Sequence, residues 1–440
     1  MTKEYIYPKS VRECAEGKAY IKRASDGTET FVCGSRTLPL NAEAAEIMRS
    51  QFAFCRPSRV LAHPRSFGLG DRLGIAGSGQ LSCFEGLDVL PVAAQQSVRE
   101  LTLTGRSFEQ VLDAATFAVF REGREGPWGA DGDHLKTFDE IDRAVKAGYT
   151  MLTLDCSEMI GRGAPPDDER KKRYTAKSFE AEGISFVYDS DSLDAICRTY
   201  SAAIDHICAV YEKYIKNGNM DFEISIDETS DTTTPQAHFF VANELRLRGV
   251  RFETMAPRFC GEFQKGIDYI GDPRLFEADI AAHAAIARKF GYKLSIHSGS
   301  DKLSIYPIIA GQTKGHYHVK TAGTSWLEAM KLTAMKAPGL YRRAHALALA
   351  SFAEASKYYH VSARPDAVPD PESLSDKSLP ELFENDAARQ LIHITYGQIL
   401  NSGLREELFA LWTECREDYN ELLGEHIGRH LSLLGLEKGK

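Results

Sequence analysis

The stretch SLDAICRTYSAAIDHICAVYEKYIKNGNMDFEISID (192–227) holds two periodicities in succession. Apolar side chains fall at 193, 196, 197, 200, 204, 207, 208, 211 and 215, the spacing of threes and fours that gives a helix one apolar stripe. Asp191 or Ser192 is the expected N-cap, because a side-chain oxygen there accepts from the free N–H groups of the first turn, and Gly218 follows the expected end. DFEISID (221–227) then changes to a short extended run bounded by polar residues, as a strand does. A helix feeding a strand is half of a βα repeat.

The repeat continues in both directions. DVLPVAA (88–94), YTMLTLD (149–155), VRFETMAP (250–257), KLSIHSG (293–299) and HYHVKTAG (316–323) read as further strands, with helices over 97–124, 136–147, 235–248, 273–290 and 324–335. RVLAHPRSFGLG (59–70) and GPWGADGD (126–133) complete about eight βα units, the number and order of a TIM (β/α)8-type barrel. A doubly wound sheet is the rival, but GLGDRLGIAG (68–77) is not the GxGxxG phosphate loop such a sheet carries and reads as a turn. The expected organisation is a small N-terminal extension with strands over 1–58, the catalytic barrel over 59–335, and a mainly helical C-terminal region packed on the barrel over 336–440. Within that last region YYHVSA (358–363) is a candidate strand, and 364–380 reads as a Pro- and Asp-rich loop.

Composition narrows the class. Of 440 residues, 43% are hydrophobic and 26% charged, close to a globular average. The net charge of −9 is dispersed, so no basic face exists to neutralise nucleic acid. No signal-peptide core and no apolar run of about 18 residues is present, which argues against a membrane partner. The nine cysteines are scattered without a CxxC pair, as in a cytoplasmic protein under reducing conditions. A homo-oligomer is left open.

In such barrels the chemistry sits at the carboxyl ends of the strands. Here those ends are polar throughout, from AAQQS (93–97) and ADGDHLK (130–136) to SIDETSD (225–231), APRFCGEF (256–263), SIHSGSDK (295–302) and HVKTAGTS (318–325). Each alone is explained by helix capping. Together, His134, Asp155, Asp227, Glu228, Glu262, His297, Asp301 and His318 would meet on one rim, with Lys136, Lys265, Lys302, Lys320 and Arg258. Imidazoles with carboxylates are ligands for a divalent metal cation, and zinc, manganese, nickel and iron are not distinguished by them. Strand alternation turns His297 inward against Ile296, and puts His316, His318 and Lys320 on one face, with His318 nearest the depth of His297. Asp133 is either an acid or base beside His134 or the cap of the following helix. The lone histidines 63, 206, 283, 345, 426 and 430 read as structural.

SFGLGDRLG (66–74), PVAAQQSVREL (91–101), GADGDHLKT (129–137), SIDET (225–229), APRFCGEFQKGIDYIGD (256–272), SIHSGSDKLSIYP (295–307), HVKTAGTSWLEA (318–329), YHVSA (359–363) and LIHITYG (391–397) resemble the tagaturonate epimerase family over about residues 60 to 400. The resemblance implies a metal-dependent isomerase of hexuronate catabolism that interconverts D-tagaturonate and D-fructuronate. It implies His134, His297 and His318 as metal ligands, with Glu228 or His360 as alternatives, Asp133 as base and Glu262 as acid. Gln95, Lys136, Glu228, Arg258, Asp301 and Lys320 are the substrate-binding candidates. The inverting carbon is β to the ketone and its hydrogen is not acidified, so a retro-aldol cleavage and re-closure is the expected route. Three other readings stand beside this one: a ketohexose 4-epimerase acting on tagatose and fructose, a metal-dependent aldose–ketose isomerase, and a sugar-binding protein without turnover.

Overall fold

A computed structural model describes residues 4–229, 231–321 and 323–437. Eight parallel strands close into a barrel in chain order: β1 (Arg65–Leu69), β2 (Leu90–Ser97), β3 (Gly129–Leu135), β4 (Met151–Asp155), β5 (Asp221–Ser225), β6 (Thr254–Ala256), β7 (Lys293–Ile296) and β8 (Tyr317–Thr321). The register Tyr317–Thr321 against Arg65–Leu69 shuts it. The expected TIM barrel is therefore present, with helices around it and a helical C-terminal part.

Helix boundaries follow capping chemistry. The long helix is Ser190–Val210, and its cap is Asp189, which shares a reciprocal capping box with Ser192. Asp191 and Ser192 thus lie inside the first turn, and the last expected turn, Tyr211–Ile215, is wound wider as a π-helix. The helix expected over 97–124 is two, Val98–Thr104 and Phe108–Arg121. Gly105 ends the first in the left-handed conformation, φ 68°, and Ser107 caps the second with Gln110. The turn read at 68–77 is built on Asp71, whose carboxylate accepts the Leu73, Gly74 and Ala76 N–H groups, but it leads into a helix, Gly77–Ser82, that was not expected. A short helix, Asp168–Tyr174, and a hairpin, Ser178–Ala181 with Ile184–Val187, intervene between β4 and the long helix. YYHVSA forms no strand.

The N-terminal strands make a five-stranded antiparallel sheet, followed by the helix Ala42–Gln51. The tail helices gather their own apolar cluster with Trp326, Leu327 and Met330 of the last barrel helix, Thr324–Lys336. Trp326 meets Trp412 edge-on at 6.0 Å, and the Trp412 indole donates to the Ala329 carbonyl at 3.0 Å, which fastens the tail to the barrel. Among the described residues no helix is long and apolar enough to cross a membrane.

Away from the barrel mouth, His238 is fully buried between Tyr292, 2.5 Å from its Nε2, and His283, 2.7 Å from its Nδ1. Burial, and then His283, hold its pKa well below 6.5, and burial lowers His345 to about 4. The unfolded chain takes up these protons near 6.5 and the folded chain does not, so stability is fully present above that pH and is lost as pH falls through 6 and 5. Each group should cost up to about 1.4 kcal/mol per pH unit. Between pH 7.5 and pH 5 the urea midpoint of the parent should decline relative to that of His345→Gln, which lacks one of these groups.

Candidate functional site

The floor of the barrel is charged. Acids in the middle of β3 and β5 alternate with apolar neighbours, so Asp131 and Glu223 point inward, and both are fully buried. Lys320 of β8 reaches across to them, with Nζ 2.6 Å from Asp131, 3.2 Å from Glu223 and 2.7 Å from the Thr153 hydroxyl, and it also pairs with Asp133. Burial would deprotonate this lysine, but Asp131, Asp133 and Glu223 outweigh it and hold its pKa well above the usual range. Burial in turn raises Asp131 to about 6 against the pull of Lys320.

Above this floor the strand ends converge. Between Gly132 and Leu135 the pairing of β3 with β4 slips, and His134 takes a left-handed φ of 52°. That irregularity turns two successive residues toward one site. The cap of the following helix is Thr137, in a capping box with Glu140, so Asp133 is not a cap. Asp133 is 4% exposed and its Oδ1 lies 3.7 Å from His134 Nε2; burial would raise its pKa, but Lys320 and then His134 bring it below the usual value, so it is ionised. The His134 Nδ1 stands 3.7 Å from Asp155 and 3.9 Å from Glu228. The rings of His134 and His297 are 4.9 Å apart, edge to face. Burial would lower the His297 pKa, but Asp227, 3.2 Å from Nδ1, and Glu223, 2.8 Å from Nε2, push it up to about 10.

The donor atoms of His134, Asp155 and Glu228 lie within 4.8 Å of one another, a mixed nitrogen and oxygen set of the kind that holds a divalent cation. The Nδ1 of His134 is buried with no hydrogen-bond partner among the described residues, as a metal ligand's nitrogen would be. This grouping differs from the expected His134, His297 and His318. His318 pairs in register with Ser295, two residues below His297, and the residue level with His297 is Lys320. The Ser66 hydroxyl is 2.9 Å from His318 Nδ1, burial lowers the His318 pKa to about 3, and its Nε2 has no hydrogen-bond partner among the described residues.

A cavity of about 310 Å³ opens over the site, lined by Glu228, Arg258, Glu262, Lys265 and His297, with Tyr358 and His360 from the tail. His360 Nε2 lies 3.4 Å from Glu262. Arg258 makes no ion pair among the described residues, whereas Lys136 is held by Asp155 at 3.4 Å and Ser157 at 3.0 Å. Gln95 lies inside the barrel, bonded to the Thr321 carbonyl, and crosses the face of Gly68, where a Cβ would sit 1.8 Å from its Oε1. Asp301 is not at this cavity. It pairs with Arg389 at 3.1 Å and lies 3.6 Å from His426 under the tail, because the loop after β7 turns through left-handed residues at Ser298 and Asp301. Lys302, also expected on the rim, is buried against the Gln264, Ile267 and Ser300 carbonyls.

A closed parallel barrel with an ionised buried aspartate beside a carboxylate–imidazole donor set defines an enzyme of the TIM-barrel class. Residues 2–434 match the family model described as tagaturonate epimerase, and the chain belongs to that family. It is 41% identical over 438 residues to the tagaturonate/fructuronate epimerase of Thermotoga maritima, covering 95% of this chain and 90% of that one. The crystal structure of the fructuronate–tagaturonate epimerase from Cohnella laeviribosi superposes with a TM-score of 0.96 at 42% identity, over 99% of this chain and 97% of that one. A glycerol complex of the same Cohnella enzyme gives 0.94 at 41%, with the same coverage. The chain is thus an epimerase-family enzyme of the isomerase class.

Proposed function

We propose that this enzyme interconverts D-tagaturonate and D-fructuronate with a divalent metal, by retro-aldol cleavage and re-closure at the carbon β to the ketone. The observation that supports this most is the meeting of His134, Asp155 and Glu228 beside the ionised Asp133. Those three residues would hold the ion, which supplies Lewis acidity to developing oxyanion charge. Asp133 takes the proton from the hydroxyl on the inverting carbon as the bond between the α and β carbons breaks. Glu262, in the cavity over the site with His360 beside it, gives a proton to the alkoxide that re-closure leaves on the opposite face. Arg258 pairs with the substrate carboxylate. His297, fixed by Asp227 and Glu223, orients the pocket edge next to His134.

The test is proton NMR of the enzyme with added divalent ions, in heavy water, with tagaturonate and separately with tagatose. The fructuronate epimer should form with no deuterium at the inverting carbon, and chelation should abolish it. Deuterium at that carbon would refute bond cleavage in favour of direct proton transfer, and no product from either sugar would refute the epimerase reading.

A further inference from the structure

A second cavity, of about 620 Å³, lies where the N-terminal extension, the barrel helix Phe108–Arg121 and the tail helices Arg405–Glu414 and Arg416–Leu433 come together. It shares no lining residue with the cavity over the barrel mouth. Four arginines line it, Arg106, Arg121, Arg405 and Arg416, against two carboxylates, Glu29 and Asp113.

The two carboxylates do not answer the four cations. Glu29 is shared by Arg121, at 2.6 Å, and Arg416. Asp113 is taken by Arg49, a fifth arginine reaching in at 2.7 Å. Arg106 and Arg405 have no carboxylate partner among the described residues. Among the described residues Arg106 donates to neutral oxygens, the Asp71 and Gln110 carbonyls and the Gln96 side chain, at 2.6, 3.1 and 3.0 Å. Arg405 donates to the Leu400 carbonyl at 3.1 Å and lies over the Phe409 ring. Burial holds the Arg106 guanidinium below its ordinary pKa against the opposing pull of Asp71 and Tyr149, and the neighbouring Arg405 adds to the lowering. Arg121, 8% exposed, has a buried Nε without a partner. Two helices of ten residues, Ala42–Gln51 and Arg405–Glu414, also begin at this cavity, adding the positive ends of their dipoles. Of the acids in those first turns, Glu43 pairs with Arg36 and Glu407 with Arg343, while Glu406 is exposed.

Unpaired guanidinium groups are rarely collected in a partly enclosed space without an anion to share them, since each loses hydration and repels the next. Their planar forks match phosphate and carboxylate oxygens. The remaining wall is apolar, from Leu73, Ile75, Phe117 and Phe409, and suits the organic body that such a group is attached to. We propose that this cavity is a second ligand site, separate from the catalytic one, that binds a small organic polyanion through Arg106 and Arg405.

The test is isothermal titration of the whole protein with glucose 6-phosphate, with citrate and with inorganic phosphate, all at fixed ionic strength set by chloride. Saturable binding of one of the organic anions is expected, and which of them binds separates a phosphate ester from a polycarboxylate. Arg405→Gln, a change in a tail helix that leaves the barrel untouched, should weaken that binding about tenfold or more, as loss of one charge-assisted contact does. Arg106→Gln should do the same. If Arg106→Gln does not fold, the Arg405 variant alone decides. No saturable heat from either organic anion, or unchanged affinity in Arg405→Gln, would overturn the proposal, as would binding of inorganic phosphate alone.

Discussion

Replacing Asp133 by asparagine should lower kcat by about a hundred- to ten-thousand-fold, the usual worth of a positioned proton-transfer group, while KM changes far less. The substitution keeps the shape of the side chain and removes only its negative charge and its basicity. Asp133 is buried beside Lys320, which favours its charged form against the effect of burial, so at neutral pH it offers the unprotonated carboxylate that a base needs. Lys320 keeps Asp131 and Glu223 as partners in the variant, so the fold should survive and the loss should be read in turnover. Epimer formation followed by NMR at saturating tagaturonate gives the comparison. A kcat within about tenfold of the parent would mean that another group carries the proton, and Asp133 would then be a charge partner of Lys320 alone.

Much of this arrangement is visible in sequence because the barrel is written by local rules. The switch from threes and fours at 193–215 to an extended run at 221–227 is enforced by what each element buries, and every barrel strand overlaps a run marked by that alternation, although β2 continues to Ser97 and β3 to Leu135, past the ends expected at 94 and 133. Depth and direction are less local. His318 looks level with His297 if strands are aligned by eye, but the stagger of a closed barrel sets Lys320 at that level instead. Asp301 shares a loop with His297 and yet faces the tail, because two left-handed residues in that loop reverse the chain. The partnership of Asp133 and His134 depends on a slip in the β3–β4 pairing that no residue pattern announces. Asp131 and Glu223 did leave a signal: an acid at an inward position of a buried strand, as in DFEIS, has to be paired. Their partner, Lys320, lies about ninety residues or more along the chain, so only the closed barrel brings them together.

Replacing Lys320 by methionine should be the most damaging single change to the fold. Methionine has nearly the volume of lysine, so little cavity is created, and the effect isolates the charge. Without the ammonium, Asp131, Asp133 and Glu223 would face one another in the barrel interior with no cation among them, and removing one partner of a buried ion pair typically costs about 3–5 kcal/mol. Part of that cost would be relieved by proton uptake. Asp131, already raised to about 6 by burial despite Lys320, would be the first to take one, so the variant should be markedly more stable at pH 6 than at pH 8 relative to the parent. The sign follows from the direction of the shift: a carboxylate whose folded pKa rises gains stability as pH falls through it. Adding Asp131→Asn to Lys320→Met should recover part of the loss at pH 8 by removing one of the stranded charges without exposing surface. Urea unfolding of the parent, the single and the double variants at the two pH values measures each term. A loss below about 1 kcal/mol in Lys320→Met, or no recovery in the double variant, would mean that the interior carboxylates are neutralised by something other than this lysine, and the electrostatic account of the barrel floor would fail.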